Sequence, residues 1–580
     1  MYILGLSCFY HDSAACLIKD GQLVAAAVEE RFSRRKHDFS FPERAIAYCL
    51  DEAGIEMAAV DQVVFYEKPI LKFDRILSQH LAAWPRSFLP FYLALPSWFN
   101  EKLRLRRILK KRLGYRKSVL YVPHHLSHAA SAFFVSPFRD AAVLTLDGVG
   151  EWQTSTLSIG RDRQIEQIAE INFPHSLGLL YSMLTAYLGF KVNNDEYKVM
   201  GLAAYGRPRY LERLRRLVDV KPDGSFALCL EYFSFLHAMR MYSPRFVKEF
   251  GPPREPESAI TEYHQDLAAS LQALTEEIVF KICAHLHRLT GSDRLCFAGG
   301  VALNSVLNGK LLKYTPFKEI YIQPEAGDGG GALGAAFYAY HQVFEQPRSF
   351  VMDHAFWGPQ YSRDQMKKFL DERQIVYKEY ADDQVLLDDI AQFIKNNFVI
   401  GWVQGRMEWG PRALGARSIL SNPTNPKMQE ILNLKVKHRE PFRPFAPAVL
   451  ADQVSEYFVP DDPLPLPVDF MLMVYPVKEA KQKLIPAVTH VDGSGRLQTV
   501  RRSHNAYYYD LIEKFGKLTG VPILINTSFN IRGEPIVCTP ADAYRCMMGT
   551  GIDWLVMGKF LIKRADNPRD IWDSEKYAAL

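Results

Sequence analysis

Short apolar runs closed by polar turns open the chain. Tyr2 to Leu6 and Ala14 to Ile18 read as strands flanking a loop that carries His11 and Asp12, and after the Asp20-Gly21 turn Gln22 to Val28 reads as a third. The same pattern returns later. Ala141 to Leu146 is strand-like, Asp147-Gly148 its loop, Thr154 to Ile159 a second strand, Gly160 to Arg163 a turn and Gln164 to Ile171 a third strand. Two copies of strand, polar loop and hairpin predict a duplicated α/β domain. Helical periodicity takes over at 262 to 290, and RLCFAGGVALNSVLNGKLL reads as strand, Gly299-Gly300, then helix. Residues 193 to 206, NNDEYKVMGLAAYG, read as a loop lining a cleft. The pattern loosens between 341 and 385, which predicts domains at 1–352 and 353–580.

A length of 580 residues exceeds one hydrophobic core, so at least two domains are expected. With 48% apolar and 23% charged residues the chain is of ordinary globular type, and a net charge of +5 does not point to nucleic acid. Eight cysteines without a C-x-x-C pair suit reduced core thiols, and hence a cytoplasmic protein. The first residues form a strand instead of a secretory signal, and no apolar run reaches membrane-spanning length. Residues 84 to 117 are different: an aromatic, proline-broken stretch leads into EKLRLRRILKKRLGYRK, whose only acid is Glu101. A basic helix of this kind could meet a membrane surface or a polyanion, but a solvated insertion is the expectation.

Candidate chemistry concentrates in two places. His124 and His128 lie four apart at a helix start, so both imidazoles project from one face, a usual spacing for metal ligands. Asp147 ends an apolar strand, and Asp328 lies in the glycine-rich turn of QPEAGDGGGALGAA; together the four suit a divalent cation, with a core-histidine role as the alternative. Fe(II), Mn(II) and Zn(II) fit this donor set about equally. Beyond residue 400, Arg406, Arg412 and Arg417, then Lys435, Lys437, His438, Arg439 and Arg443, then Arg496, Arg501 and Arg502, stand in glycine- and proline-broken loops, with Asn526, Thr527, Ser528, Asn530 and Arg532 ending a strand. Converged, these would hold a phosphorylated ligand, because guanidinium forks match phosphate oxygens. Compact loops instead of an exposed basic stripe argue against a nucleic-acid partner.

YHDSAA, EERFSRRKHDFSFP, HHLSHAASAF, LDGVGEW, DEYKVMGLAAYG, GGVALN, EAGDGGGALGAA, GPRALGARSIL, KHREPFRPFAP, DGSGRLQTV and INTSFNIRGEP, in this order along the whole chain, resemble the O-carbamoyltransferases. That family includes the Nod-factor carbamoyltransferase and the enzymes that carbamoylate tobramycin, cephalosporins, ansamycins and saxitoxin. The resemblance implies an α/β protein with an N-terminal domain of the actin and sugar-kinase type, similar to the TsaD carbamoyl-transfer subunit, and a C-terminal YrdC-like α/β domain. It implies that ATP, with Mg, and carbamoyl phosphate form carbamoyl adenylate in the second domain, and that the first transfers the carbamoyl group to a small-molecule alcohol. The roles carried over are metal ligation, of an iron-type ion, by His124, His128, Asp147 and Asp328; base catalysis by His11 at an ordinary pKa; and carbamoyl-adenylate binding in the first domain by Lys36, Gly299, Gly300, Asn304 and Gly331. Binding of ATP and carbamoyl phosphate falls to Arg412, Lys437, Arg443, Arg496, Asn526 and Ser528. The oligomeric state is not legible in the sequence, a homodimer being no more than a guess. The competing readings are a tRNA-modifying enzyme of the threonylcarbamoyl-adenylate type and an actin-fold sugar kinase or ATP-binding regulator. The acceptor is not legible; segments 84 to 117 and 206 to 260 are the candidate walls of its pocket.

Overall fold

The computed structural model describes residues 1–567. They divide into two units: Met1–Glu29 with Phe39–Met352, and Glu30–Asp38 with the chain from Asp353 onward.

Two five-stranded sheets of one topology build the first unit. In the first, β1 (Tyr2–Ser7), β2 (Ala14–Lys19), β3 (Gln22–Val28), β4 (Gln62–Phe65) and β5 (Val119–Tyr121) run in the order β3-β2-β1-β4-β5. In the second, β6 (Asp140–Leu146), β7 (Gln153–Arg161), β8 (Gln164–Asn172), β11 (Arg294–Ala298) and β12 (Glu319–Tyr321) repeat it as β8-β7-β6-β11-β12, and a small hairpin, β9 (Val218–Val220) with β10 (Phe226–Leu228), stands apart. In each sheet the first three strands pair antiparallel and the last two add in parallel. This is the duplication that the paired hairpins predict, in the actin and sugar-kinase type of fold that the family resemblance implies. Burial follows position: central β6 is buried from Ala141 to Leu146, whereas edge strand β8 is mostly exposed or half-buried.

The helices used below are α1 (Pro69–Ala82), α2 (Phe88–Asn100), α3 (Leu105–Leu113), α4 (His124–Phe133), α5 (Glu196–Ala203), α6 (Glu262–Thr290), α7 (Ser305–Tyr314) and α8 (Gly330–Tyr338) in the first unit. Helix α4 is buried almost throughout, which its Ser and Ala residues allow. Its neighbour α8 is equally small-residued, and a Cβ on Gly334 would overlap the carbonyl of Ser127, so glycine sets the approach of the two helices. Residues 193 to 206 are not the expected loop. Apolar Val199, Met200 and Leu202 are buried in α5, and Lys198 is buried 3.2 Å from Asp195.

The second unit is built on a nine-stranded mixed sheet of β13 (Lys378–Glu379), β14 (Ile400–Val403), β15 (Arg417–Ser421), β16 (Ala446–Leu450), β17 (Met473–Pro476), β18 (Ser494–Val500), β19 (Ile523–Ser528), β20 (Trp554–Met557) and β21 (Phe560–Lys563). Their order is β13-β21-β20-β14-β15-β19-β16-β18-β17. One core cluster gathers Trp402, Tyr508, Phe515 and Leu524 on this sheet. Segment 30–38 joins this unit: Arg31 donates to Gly410 O at 3.0 Å, and Arg34 to Ile536 O and Pro535 O at 2.7 and 2.8 Å. Lys36, expected to serve the first domain, therefore belongs to the second unit.

Candidate functional sites

His124 opens α4 because Glu151 receives it. Both carboxylate oxygens accept the His124 N–H at 3.1 Å, and one also accepts Lys68 N–H at 2.7 Å, an acid placed at a helix N-terminus. From there His124 and His128 point at Asp147, at the carboxyl end of β6, and Asp328, just before α8. The four ligand atoms lie within 4.8 Å of one another. The Nε2 atoms are 3.1 Å apart; His124 Nε2 is 3.2 and 3.7 Å from Asp147 and Asp328, and His128 Nε2 is 3.9 and 3.4 Å from the same pair.

These edges match a metal polyhedron: bonds of about 2.0–2.2 Å in a tetrahedron give ligand separations of about 3.3–3.6 Å. Asp328 Oδ2 is buried without a hydrogen-bond partner, and two facing ring nitrogens can both serve one cation but share only one proton. The donor set therefore fits a divalent ion. Both imidazoles are fully buried, while Asp147 and Asp328 keep 8% and 7% of their surface exposed, so the opening lies on the carboxylate side. Burial disfavours the charged form of His124, yet the Asp147 hydrogen bond and the Asp328 and Asp147 charges outweigh it and lift the pKa to about 9. His125 has the core role instead, bonded to Thr145 Oγ1 at 2.7 Å and held neutral by burial and the neighbouring rings.

The glycines assigned to the first unit act close by. Gly299 has φ +92°, and this turn aims Gly300 N–H at Asp147 Oδ1, 2.9 Å away. Gly331 leaves room for the Tyr66 ring, where a Cβ would come within 2.6 Å. Asn304 caps α7 through Leu307 N–H at 3.0 Å and exchanges hydrogen bonds with Gln272. His11 differs from expectation. Its Nδ1 lies 2.6 Å from Asp12 Oδ2 and its Nε2 2.6 Å from Asn193 O, and although burial opposes charge, Asp12 and the charge of Asp328 raise the pKa to about 10. In this conformation it is an imidazolium, not a base at ordinary pKa.

In the second unit, Lys437 is 3% exposed and forms no ion pair with a carboxylate among the described residues. Its ammonium donates to Ser528 O, to Ser528 Oγ at 3.3 Å and to Asn530 O and Oδ1 at 3.0 and 2.9 Å. Burial, then the Arg439 and Arg443 charges, hold its pKa well below the ordinary lysine range. Asn526, two residues before Ser528 on β19, donates to Ala413 O at 3.0 Å and Gln498 Oε1 at 2.6 Å, tying the Arg412 loop and the Arg496 strand to its own. Lys437, Ser528, Asn526 and Arg443 thus gather at one end of β19, with Arg412 and Arg496 adjoining in sequence the residues Asn526 holds. Not every arginine of these loops joins this group. Arg417 is fully buried and spends its guanidinium on the carbonyls of Gln404, Gly405, Ala416, Pro359 and Cys538. Arg406 donates to Trp357 O and Gly358 O, and Arg501 pairs with Asp469 at 2.7 Å.

Sequence reasoning missed Glu151, although it stands in the motif DGVGEW, and Glu408, whose Oε1 accepts the N–H groups of Leu414, Ala416 and Arg417 and so shapes the arginine-rich turn. An acid at a fixed offset from several glycines was the available signal.

A family model described as "Carbamoyltransferase N-terminus" matches residues 2–337, and one described as "Carbamoyltransferase C-terminus" matches 391–564. The uncharacterized protein sll1178 of Synechocystis sp. is 48% identical over 98% of this chain and 97% of its own length. The nodulation protein NolNO of Sinorhizobium fredii is 39% identical over 97% of this chain and 80% of its own length. Among solved structures, component A of the Acidaminococcus fermentans (R)-2-hydroxyglutaryl-CoA dehydratase overlays with a TM-score of 0.31 at 15% identity, covering 59% of this chain and 99% of that one. The fold rests on the repeated sheet topology, not on this overlay.

Proposed function

The chain belongs to the carbamoyltransferase family and is a carbamoyl-transferring enzyme, and from that premise we propose that it is an ATP-dependent O-carbamoyltransferase acting on a small-molecule alcohol. Carbamoyl phosphate takes up water and loses phosphate to give carbamate. A carbamate oxygen then attacks the α-phosphorus of ATP, releasing pyrophosphate and leaving carbamoyl adenylate. An acceptor hydroxyl adds to the carbamoyl carbon and AMP departs.

The observation that supports activation in the second unit is Lys437: a buried lysine held, among the described residues, only by neutral oxygens is suited to an anion, and phosphoryl oxygens would supply it. Arg443 lies close enough to depress it further, and Ser528 and Asn526 fix the strand end against which the anions dock. In the first unit, His124, His128, Asp147 and Asp328 would hold a divalent ion, iron by resemblance, whose chemistry there is to polarise an oxygen of the bound intermediate. Gly300 orients Asp147, and Glu151 fixes the start of α4. His11 takes the acceptor proton once it has given up its own proton to solvent and its Nε2 has exchanged Asn193 O for the hydroxyl, with Asp12 stabilising the imidazolium that forms again. AMP needs no strong acid to leave, so one base suffices.

The test is incubation of the metal-loaded protein with Mg·ATP and carbamoyl phosphate without acceptor. Pyrophosphate that depends on carbamoyl phosphate, lost in Lys437→Ala and retained in His124→Ala, supports the assignment. ADP formed without carbamoyl phosphate would refute it in favour of a kinase.

A further inference from the structure

The metal-type cluster and the Lys437 site leave a third group of charges unused. Helix α1 follows β4, whose carboxyl end carries Tyr66 and Glu67, and the Tyr66 ring lies 5.4 Å from the His124 ring. The inward face of α1 bears Lys72 and Arg75. Lys72 donates to Glu67 at 2.5 Å, with both side chains 2% exposed, and its ammonium stands 4.2 Å from the Tyr10 ring centroid. One turn further, Arg75 is 5% exposed and lies 4.9 Å over Phe173. Its guanidinium makes no hydrogen bond and no ion pair with any described residue, and its Nε is buried without a partner. Lys102 comes to the same place, 4.7 Å over Trp98 and also without a carboxylate partner among the described residues. Burial, and then the neighbouring Lys72 charge, pull its pKa down to about 8.

Of the acids around these three cations, Glu67 is taken by Lys72 and Glu151 by the amides of Lys68 and His124, and neither they nor Glu101 forms an ion pair with Arg75 or Lys102. A buried guanidinium that forgoes every hydrogen bond is costly unless an anion completes it. Its planar fork and the Lys102 ammonium suit phosphate or carboxylate oxygens, and the rings of Tyr10, Phe173 and Trp98 flank them. We propose that Lys72, Arg75 and Lys102 form a subsite, beside the transfer centre, for an anionic group carried by the acceptor alcohol. The subsite rests on the carbamoyl-transfer reading above and narrows its acceptor to hydroxyl compounds bearing a phosphate or carboxylate.

Thermal unfolding at matched ionic strength tests it, with inorganic phosphate or acetate replacing chloride, on the full chain and on Arg75→Ala and Lys102→Met. Each variant's unfolding temperature in chloride alone shows whether it folds. An anion should stabilise the unaltered protein, with its apparent affinity roughly 10- to 100-fold weaker in Arg75→Ala and reduced in Lys102→Met. A larger phosphate than acetate effect assigns a phosphoryl group, the reverse a carboxylate. No stabilisation by either anion, or equal stabilisation of all three proteins, overturns the subsite. Carbamoyl-phosphate-dependent pyrophosphate release by the unaltered protein reports separately on the underlying reaction.

The outward side of α1, α2 and α3 carries an independent inference. Ile70, Leu81, Trp84, Leu89, Tyr92 and Leu93 are 57–76% exposed, an apolar face where a solvated insertion was expected. Immediately after it, exposed Arg104, Arg106, Arg107, Lys110 and Lys111 have no carboxylate partner among the described residues. No helix among them is long and apolar enough to cross a membrane. Aromatic and aliphatic side chains beside unpaired basic ones match the interface of an anionic bilayer, apolar groups among the acyl chains and cations at the headgroups. We infer that α2 and α3 dock this protein on an anionic membrane surface. Co-sedimentation with phosphatidylcholine vesicles, with and without phosphatidylglycerol, tests this. Binding should require phosphatidylglycerol, fall with salt, and be lost in Leu89→Glu/Leu93→Glu and weakened in Arg106→Glu/Arg107→Glu. Absence of binding overturns the inference, as does a solution dimer that the Leu89→Glu/Leu93→Glu variant dissociates, which would assign the face to a second copy.

Discussion

Stripping the cation from the first-unit cluster should make stability fall as pH rises. In the cation-free protein His124 sits between two carboxylates with a pKa of about 9, against an ordinary value of 6.5. Because the folded value is the higher, the folded state binds more protons than the unfolded state between the two. The stability this supplies is fully present below pH 6.5 and is lost as pH climbs through about 9. The gap of about 2.5 units, at about 1.36 kcal/mol each, is about 3 kcal/mol, and since His124 is fully buried solvent screening does not reduce it much. A cation replaces that proton, so the loaded protein should lack this slope. At pH 7 His124 is about 99% protonated, so loading should release close to one proton from it, and apparent affinity should weaken about tenfold per pH unit below about 9. Urea unfolding of chelator-treated and metal-loaded protein between about pH 6 and 9 measures the first effect. Calorimetry in buffers of different ionisation enthalpy measures the second. Equal pH slopes in the two forms, or binding at pH 7 without proton release, would refute the reasoning.

Gly334→Ala should cost about 1–3 kcal/mol and weaken metal binding, because the new methyl pushes α8, and Asp328 before it, away from Ser127 and His128 on α4; unfolding and metal titration check this. Arg417→Ala strands five carbonyls and should destabilise by about 3–5 kcal/mol, whatever substrate is present, as seen by thermal unfolding. Lys437→Met leaves the Ser528 and Asn530 oxygens without their donor but also removes a buried charge, so it should destabilise by only about 1–3 kcal/mol, yet the folded variant should lose pyrophosphate release by about 100-fold or more, as unfolding and product assays check. With His11 held near pKa 10, the transfer step should quicken about tenfold per pH unit through neutrality; a rate already level at pH 7 would show that another group takes the proton.

Several features were legible in the chain because their cause is local. Strand alternation and Asp-Gly turns mark both hairpins, and their recurrence marks the duplication, since a period of two and a turn signal need no distant partner. The four-residue spacing of His124 and His128 is likewise a property of one helical turn. The α5 helix was missed because its polar start, NNDEY, outweighs a short apolar stretch whose burial depends on packing elsewhere in the unit.

The sequence by itself determined that the chain carries two α/β units, two candidate ligand groups and the motifs of one family. Only the tertiary structure decided which charges serve ligands. Arg417 and Lys437 look alike in sequence, each basic in a broken loop, yet one is satisfied by five carbonyls and the other has no carboxylate partner among the described residues. Segment 30–38 sits early in the chain but packs with the late unit through Arg31 and Arg34, and Arg75, unremarkable in its helix, proves to be buried without a hydrogen bond to any described residue. Periodicity along a chain reports which face is apolar. Whether a buried charge meets a partner depends on contacts between residues far apart in sequence, which no local pattern encodes.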